Sequence, residues 1–259
     1  MPQIDPLFSL SGFFVGLLVG QTGMGGGSLM TPILVLFFHV HPATAVGTDL
    51  LYAAVTKMAG TLVHGINHTV DWRMVRRLAY GSVPATLVTL GLISQVDLTG
   101  PMTNHVISLV LGLMLLLTAV SRVFRRWFLA RFAARMAGLP EQTTVRLTVG
   151  VGVALGVLVT ISSVGAGALG GAALLLLYPT LPMALIVGTD IAHAVPLTLI
   201  AGAGHWWLGS VDWMMLLSLL SGSIPGIVIG SYLTARVPDR VLRPVLAATL
   251  VVVGGRLVM

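Results

Sequence analysis

Two aspartates give the clearest indication of chemistry in the sequence. Asp49 and Asp190 each follow a Val-Gly-Thr tripeptide at the start of a hydrophobic segment. An ionisable residue at membrane depth is costly and marks a path for ions, protons or substrate. The alternative is an N-cap, in which Thr or Asp accepts a backbone N–H in the first turn of a helix. Thr48 and Thr189, directly before the aspartates, share both interpretations.

The only lysine of the chain, Lys57, lies in the middle of the segment that Asp49 opens. A lone buried ammonium group needs a partner. It could pair with Asp49, or it could attract a substrate anion. In the alternative interpretation, its long side chain extends the charge to an interface or a water-filled cavity.

Histidines add further candidates for ion or proton coupling. His193 follows Asp190 by three positions and is suited to relaying a proton with it. His64 and His205 are also candidates, with structural hydrogen bonding as the alternative. The spacing of His64 and His68 suits a metal, but no Glu accompanies it, so the sequence predicts no metal and no other cofactor.

A glycine-rich break at residues 21–28, QTGMGGGS, divides the first apolar stretch into two pieces. Each piece is about half of the ~20 residues that cross a bilayer as a helix. Two half-helices meeting at a break aim unpaired backbone groups at one point, where helix N-termini favour an anion. A packing kink is the alternative. The candidate substrate-binding residues in this break and its counterpart are Thr22, Gly23, Gly25, Gly26, Gly27, Ser28, Ser162, Ser163, Gly165 and Gly167.

Composition places these residues in a membrane. Of 259 residues, 56% are hydrophobic and 8% are charged, against about 25% charged in soluble domains. The net charge of +6 comes from arginines that cluster at 73–77, 122–146 and 236–243. Such clusters indicate cytoplasmic loops rather than nucleic-acid binding. Residues 1–6 lack a basic segment, so no cleaved signal peptide is expected. The sequence predicts an all-α polytopic protein of the cell membrane, in contact with the lipid bilayer.

The chain repeats itself. Val46–Asp49 recurs as Val187–Asp190, 141 positions later, and Val70–Trp72 recurs as Val211–Trp213 at the same spacing. Internal duplication is common in secondary transporters. We expect a first repeat at 1–120, a basic cytoplasmic linker at 121–146 and a second repeat at 147–259, each repeat with four segments.

The arginine clusters indicate how the repeats are oriented. Residues 71–77 are basic whereas their counterparts are not, and the opposite holds for residues 94–101 and 235–243. If segments 1 and 5 are re-entrant half-helix pairs, each repeat has three crossings and all three clusters share one side. We therefore expect inverted repeats, with both termini outside.

These motifs resemble the TauE/SafE sulfite exporter family, also called TSUP transmembrane permeases. The matching pieces lie in both halves, at 22–28 with Pro32, 45–49, 69–73, 163–167, 187–190 and 210–213. The resemblance implies transport of small sulfur-containing anions such as sulfite or organosulfonates, coupled to protons. The second half departs from the pattern, since Gly165–Gly167 is poorer in glycine and no proline matches Pro32.

Three functions compete on the sequence alone. The first is an anion carrier, most simply an exporter, and the second is a cation carrier or channel that uses Asp49 and Asp190. The third, an intramembrane enzyme, lacks a nucleophile and base at recognisable spacing, so no enzymatic activity is predicted. The substrate, the direction of transport and the formation of a homo-oligomer stay open.

Overall fold

The computed structural model describes residues 5–22, 27–98 and 100–233, together with residues 251, 254, 255 and 257. In this part of the chain the secondary structure is helical, without strands, as the composition predicts. The helices are α1 (Pro6–Thr22), α2 (Gly27–Leu36), α3 (Pro42–Ile66), α4 (Trp72–Ile93), α5 (Pro101–Val123), α6 (Arg125–Ala137), α7 (Glu141–Ser162), α8 (Leu169–Leu177), α9 (Met183–Trp207) and α10 (Trp213–Leu233).

Apolar side chains cover much of the outside, whereas charged and hydroxyl groups lie inside. Leu87, Leu117 and Leu199 are exposed on the outer faces of α4, α5 and α9, while Asp49 and Lys57 are buried. Within the described residues, three helices are long and apolar enough to cross a membrane: Pro101–Ser121, Glu141–Ser162 and Met183–Trp207. This distribution is that of a multi-pass membrane protein.

Helices α1 and α10 pack in close contact through glycine. Gly12 and Gly16 of α1 lie against the backbone of Leu219 and Ser223 of α10, where an added Cβ would overlap a carbonyl oxygen. Small residues let two helix backbones approach this closely. Because the contacting positions rise together along both helices, α1 and α10 run in the same direction.

Helices α4 and α7 form an equivalent pair. Gly152 and Gly156 of α7 lie against the backbone of Leu78 and Ser82 of α4, so these helices also run in the same direction. Each contacting residue is 140 or 141 positions away in the sequence from its equivalent in the α1–α10 pair. Each pair therefore joins a helix of the first half to a helix of the second.

The centre is formed by α3 and α9, which run in opposite directions. Gly47, early in α3, lies beside His205 near the end of α9, and Leu51 contacts Gly202. Both helices have 25 residues. Their first residues, Pro42 and Met183, are 141 positions apart, as are the repeated motifs.

The segment 163–182 reverses the chain. Helix α4 lies parallel to α9, because Ser82 contacts His193 and Leu90 contacts Gly204. Since α7 is parallel to α4, it is also parallel to α9, and the chain must return between them. The nine residues of α8 form the helical part of this return.

The lengths of α7 and α8 differ from the expected pair of half-helices. Helix α8 is half-length, but α7 has 22 residues, about 33 Å. The reason is that residues 141–146, which the sequence assigns to the linker, form the first turns of α7. The rest of the predicted linker comprises the end of α5, the helix α6 and the turn that follows it.

Candidate functional site

The repeated Val-Gly-Thr-Asp motif contacts the connector of the other half. In the first half, Gly47 lies against the carbonyl of Ser210, and Thr48 Oγ1 accepts a hydrogen bond from the N–H of Asp212 at 3.1 Å. Asp212 in turn accepts from the N–H groups of Met214 and Met215 and so caps α10. Thr48 therefore holds the start of α10.

The second half repeats this contact. Gly188 lies against the carbonyl of Thr69, and Thr189 Oγ1 accepts from the N–H of Asp71 at 2.9 Å. Asp71 caps α4 by accepting hydrogen bonds from the N–H groups of Arg73 and Met74. A role of Thr48 and Thr189 in ion coupling stays a prediction, since the hydroxyl of each already accepts this hydrogen bond.

Asp49 lies inside α3, eighth in the helix, so it does not cap α3. Its Oδ2 accepts hydrogen bonds from the hydroxyl of Thr31 on α2 and from the hydroxyl of Ser163 at 3.0 Å. The backbone N–H of Thr31 also donates to the carboxylate. Oδ1 is buried without a partner. Asp49 thus joins the start of α2 to the break after α7.

Asp190 occupies the equivalent place in α9 and is also inside its helix. Its carboxylate lies against Gly170 and accepts a hydrogen bond from the N–H of Gly171 in the first turn of α8. The N-terminus of a helix stabilises a negative charge. Both carboxylates therefore lie near the N-terminus of a short helix of their own half, which offsets part of the cost of burying them.

Lys57 connects the two carboxylates to the second break, which is the segment 163–168 between α7 and α8. Its side chain is 3% exposed, so the ammonium group does not extend to the outer surface of the described structure. Nζ donates a hydrogen bond to the carbonyl oxygen of Ala166. The ammonium group interacts electrostatically with both carboxylates, Asp49 and Asp190. Two carboxylates and one ammonium group leave one negative charge uncompensated.

The second break has backbone conformations that favour glycine. Ser163 has φ 58°, Gly165 has φ 110° and Gly167 has φ 141°. Ser163 donates to Asp49, whereas the hydroxyl of Ser162 donates to Leu158 of its own helix and accepts from the N–H of Val164. Ser162 is therefore less available to a ligand than the sequence suggests.

The first break lies largely outside the described residues. This applies to the predicted binding residues Gly23, Gly25 and Gly26, and to the side chains of Thr22 and Ser28. The described backbone shows that α1 ends at Thr22 and that α2 begins at Gly27. A role for these residues in substrate binding stays a prediction.

The predicted histidines have structural partners. His193 bonds Ser82 at 2.9 Å rather than Asp190, and His64 bonds Thr69 at 2.8 Å. Nε2 of His205 donates to the carbonyl of Thr160 at 2.9 Å, while its Nδ1 is buried without a partner. Roles in coupling stay predictions for all three. Within the described residues no group of three metal-ligating side chains occurs.

Four residues that sequence reasoning missed belong to this centre. Thr31 donates a hydrogen bond to Asp49, and Ser82 forms a hydrogen bond with His193. Tyr52 interacts electrostatically with Asp49 and faces Ser223. The repeat could have revealed three of them. Tyr52 and His193 are equivalent at the spacing of 141, and so are Ser82 and Ser223.

A large apolar cleft lies apart from the carboxylates. It has a volume of about 690 Å³ and opens between α4, α5 and α7, where Pro84, Val106 and Val153 line it. Tyr80 and His205 are the titratable residues among those that line it. No Asp, Glu, Lys or Arg is among its lining residues, so it brings no further charged group to the site.

A helical protein with an apolar exterior and a buried charged centre is a multi-pass membrane protein. Residues 8–257 match the model of the family described as "Sulfite exporter TauE/SafE". The chain belongs to this family, as the sequence motifs predict. Membership supports a role as a membrane transporter.

Curated relatives agree with this assignment. The chain is 37% identical over 250 residues to "Probable membrane transporter protein YjnA" of Bacillus subtilis (strain 168), covering 96% of this chain and 98% of the relative. It is 25% identical over 252 residues to "Probable membrane transporter protein YdhB" of the same organism, covering 93% and 95%. No solved structure matches the chain.

Proposed function

We propose that the protein is a secondary transporter of small sulfur-containing anions such as sulfite or organosulfonates, and that it works as a proton-coupled exporter. A role as a membrane transporter follows from the family and its relatives. The substrate class is supported by the family description. The substrate would bind between the two breaks, at 22–28 and 162–168, near the middle of the membrane.

The observation that carries this proposal is the position of Lys57. The only lysine side chain of the sequence is buried, and it donates to Ala166 within a break whose backbone is not helical. A substrate oxygen that displaces the Ala166 carbonyl would meet a charged donor. The N-terminus of α8 adds backbone N–H groups to the same region.

Proton coupling is supported by the charge of the cluster. Asp49, Asp190 and Lys57 together leave one negative charge uncompensated in a buried position. Burial of an uncompensated charge is strongly unfavourable. A proton on one carboxylate brings the cluster to neutrality, and its release as the site opens to water provides a coupling step.

Inverted repeats are part of the proposal, and the helix directions support them. Equivalent helices α3 and α9 run in opposite directions, and α7 runs with α9. Arg77 forms an ion pair with Glu141 at 2.9 Å, which places the first arginine cluster next to the linker. The proposed repeats are 1–120 and 147–259, joined by a cytoplasmic linker at 121–146. The third arginine cluster, 236–243, lies outside the described residues.

A cation carrier is the second candidate, because the same uncompensated charge would attract a cation. Purified protein in proteoliposomes separates the two functions, using sulfite, sulfoacetate and sulfate against Na⁺ and K⁺ under varied pH gradients. We expect saturable movement of a sulfur oxyanion that responds to the pH gradient and is absent from protein-free liposomes. Movement of a cation without any oxyanion would replace the proposal with the second candidate.

Topology gives an independent prediction in this Cys-free chain. Single cysteines at Arg76, Ala130 and Pro238 should not react with an impermeant thiol reagent applied to intact cells, because all three belong to the arginine-rich segments that we place in the cytoplasm. Gln95→Cys, in the turn between α4 and α5, should react and serves as the positive control. Labelling of any of the three test cysteines from outside the cell would contradict the proposed topology.

A further inference from the structure

Three buried oxygen atoms, one of Asp49 and two of side chains around it, have no hydrogen-bond partner. They are Oδ1 of Asp49, the hydroxyl of Tyr52 and Oγ of Ser223. All three side chains are fully buried. Tyr52 lies one turn after Asp49 on α3 and faces Ser223 of α10 without reaching hydrogen-bond geometry. Native proteins rarely leave buried polar atoms unpaired, so three together indicate an occupant.

The equivalent cluster in the second half is closed. The equivalent residues lie 141 positions apart: Asp190 and His193 follow Asp49 and Tyr52 by that number, and Ser82 precedes Ser223 by it. There the side chains of His193 and Ser82 form a hydrogen bond of 2.9 Å. Asp190 itself is held by the N–H of Gly171 and by the charge of Lys57. The two sides of the centre therefore differ, and on the Asp49 side three oxygen atoms of the described residues are left to bind a ligand.

The negative charge at Asp49 favours a cation as the ligand of the three unpaired oxygen atoms. Lys57 interacts electrostatically with both Asp49 and Asp190, so one ammonium group faces two carboxylates and one negative charge is left uncompensated. Within the described residues, the titratable groups that act on Asp49 are Lys57 and Tyr52. Helix α2 and the break after α7 present hydroxyl and backbone groups to it, from Thr31 and Ser163, while Ser223 of α10 faces Tyr52.

We propose that Asp49 Oδ1, the Tyr52 hydroxyl and Ser223 Oγ bind the coupling cation, which is a proton or a sodium ion. The inference rests on the proposed function as a coupled transporter and assigns coupling to Asp49 rather than to Asp190. Carboxylate and hydroxyl oxygens suit a hard cation. A carboxyl group beside a phenol can equally hold a proton through a hydrogen bond.

Binding can be measured on the purified full-length protein without any anion present. For sodium, the unfolding temperature is compared in NaCl and choline chloride at equal ionic strength. For protons, infrared difference spectra follow the carbonyl band of a protonated carboxyl group during a pH titration, and Asp49→Asn identifies the band. Tyr52→Phe and Ser223→Ala test the site. Tyr80→Phe, on the outer face of α4, and Ser221→Ala, exposed on α10, are the matched controls.

We expect either a sodium-dependent rise in unfolding temperature or an Asp49 carboxyl band that titrates. Tyr52→Phe and Ser223→Ala should weaken the sodium affinity about tenfold, or shift the proton midpoint by about one pH unit, because each removes one hydrogen-bonding group. The two control variants should match the wild type. A response in both test variants equal to that of the wild type, or no response to either cation, would overturn the inference. Failure of oxyanion transport alone would overturn the proposed function and leave this binding result intact.

Discussion

Replacement of Lys57 by methionine should lower oxyanion transport by about 100-fold or more, because the site loses its only buried charged donor. Methionine keeps the length of the side chain and most of its packing. The loss should therefore come from the charge rather than from a cavity. Initial rates of uptake into proteoliposomes, at matched amounts of inserted protein, measure the effect.

The same substitution should also lower stability, by about 3 kcal/mol or more, since it leaves two buried carboxylates without their counter-charge. A second variant keeps the prediction testable if the first does not fold. Lys57→Met combined with Asp190→Asn removes one charge of each sign and should recover much of the stability without recovering transport. Recovery of transport in this double variant would show that Lys57 serves only as a counter-ion.

Thr198→Val provides the matched control, because Thr198 is equivalent to Lys57 in the repeat. Its hydroxyl donates to Ala194 within the same helix, so it makes no contact across the site. Valine has nearly the same shape, and transport by this variant should stay close to that of the wild type. Equal losses in Lys57→Met and Thr198→Val would indicate general damage to α3 and α9.

The repeat explains why much of the centre could be predicted from the sequence. Asp49 and Asp190 stand out because a carboxylate in an apolar, duplicated segment has few structural uses. The same spacing does not tell which half each motif contacts. The contacts of Thr48 with Asp212 and of Thr189 with Asp71 cross between the halves. They depend on how α3 and α9 pack, which no local pattern contains.

Side-chain direction was the second limit of sequence reasoning. Lys57 has four rotatable bonds in its stem, and its partner Ala166 is 109 positions away. His193 was expected beside Asp190 because the two are close in the chain, yet it bonds Ser82, 111 positions away. Residues three or four positions apart on a helix share a face, but a side chain on a neighbouring helix can be the hydrogen-bond partner instead.

Gly167→Val should abolish transport while the protein stays folded and inserted, because Gly167 has φ 141°, which a β-branched residue adopts only under strain. Strain of this kind costs about 1–3 kcal/mol, so the break should rearrange rather than the whole protein unfold. Ala166, the acceptor of the Lys57 ammonium group, is the preceding residue and would move with it. Gly150→Val is the matched control, since Gly150 lies in α7 with open space around it. Elution as a single species in detergent checks folding, and uptake of the sulfur oxyanion checks function. Normal uptake by Gly167→Val would make this break a packing kink and place the substrate elsewhere.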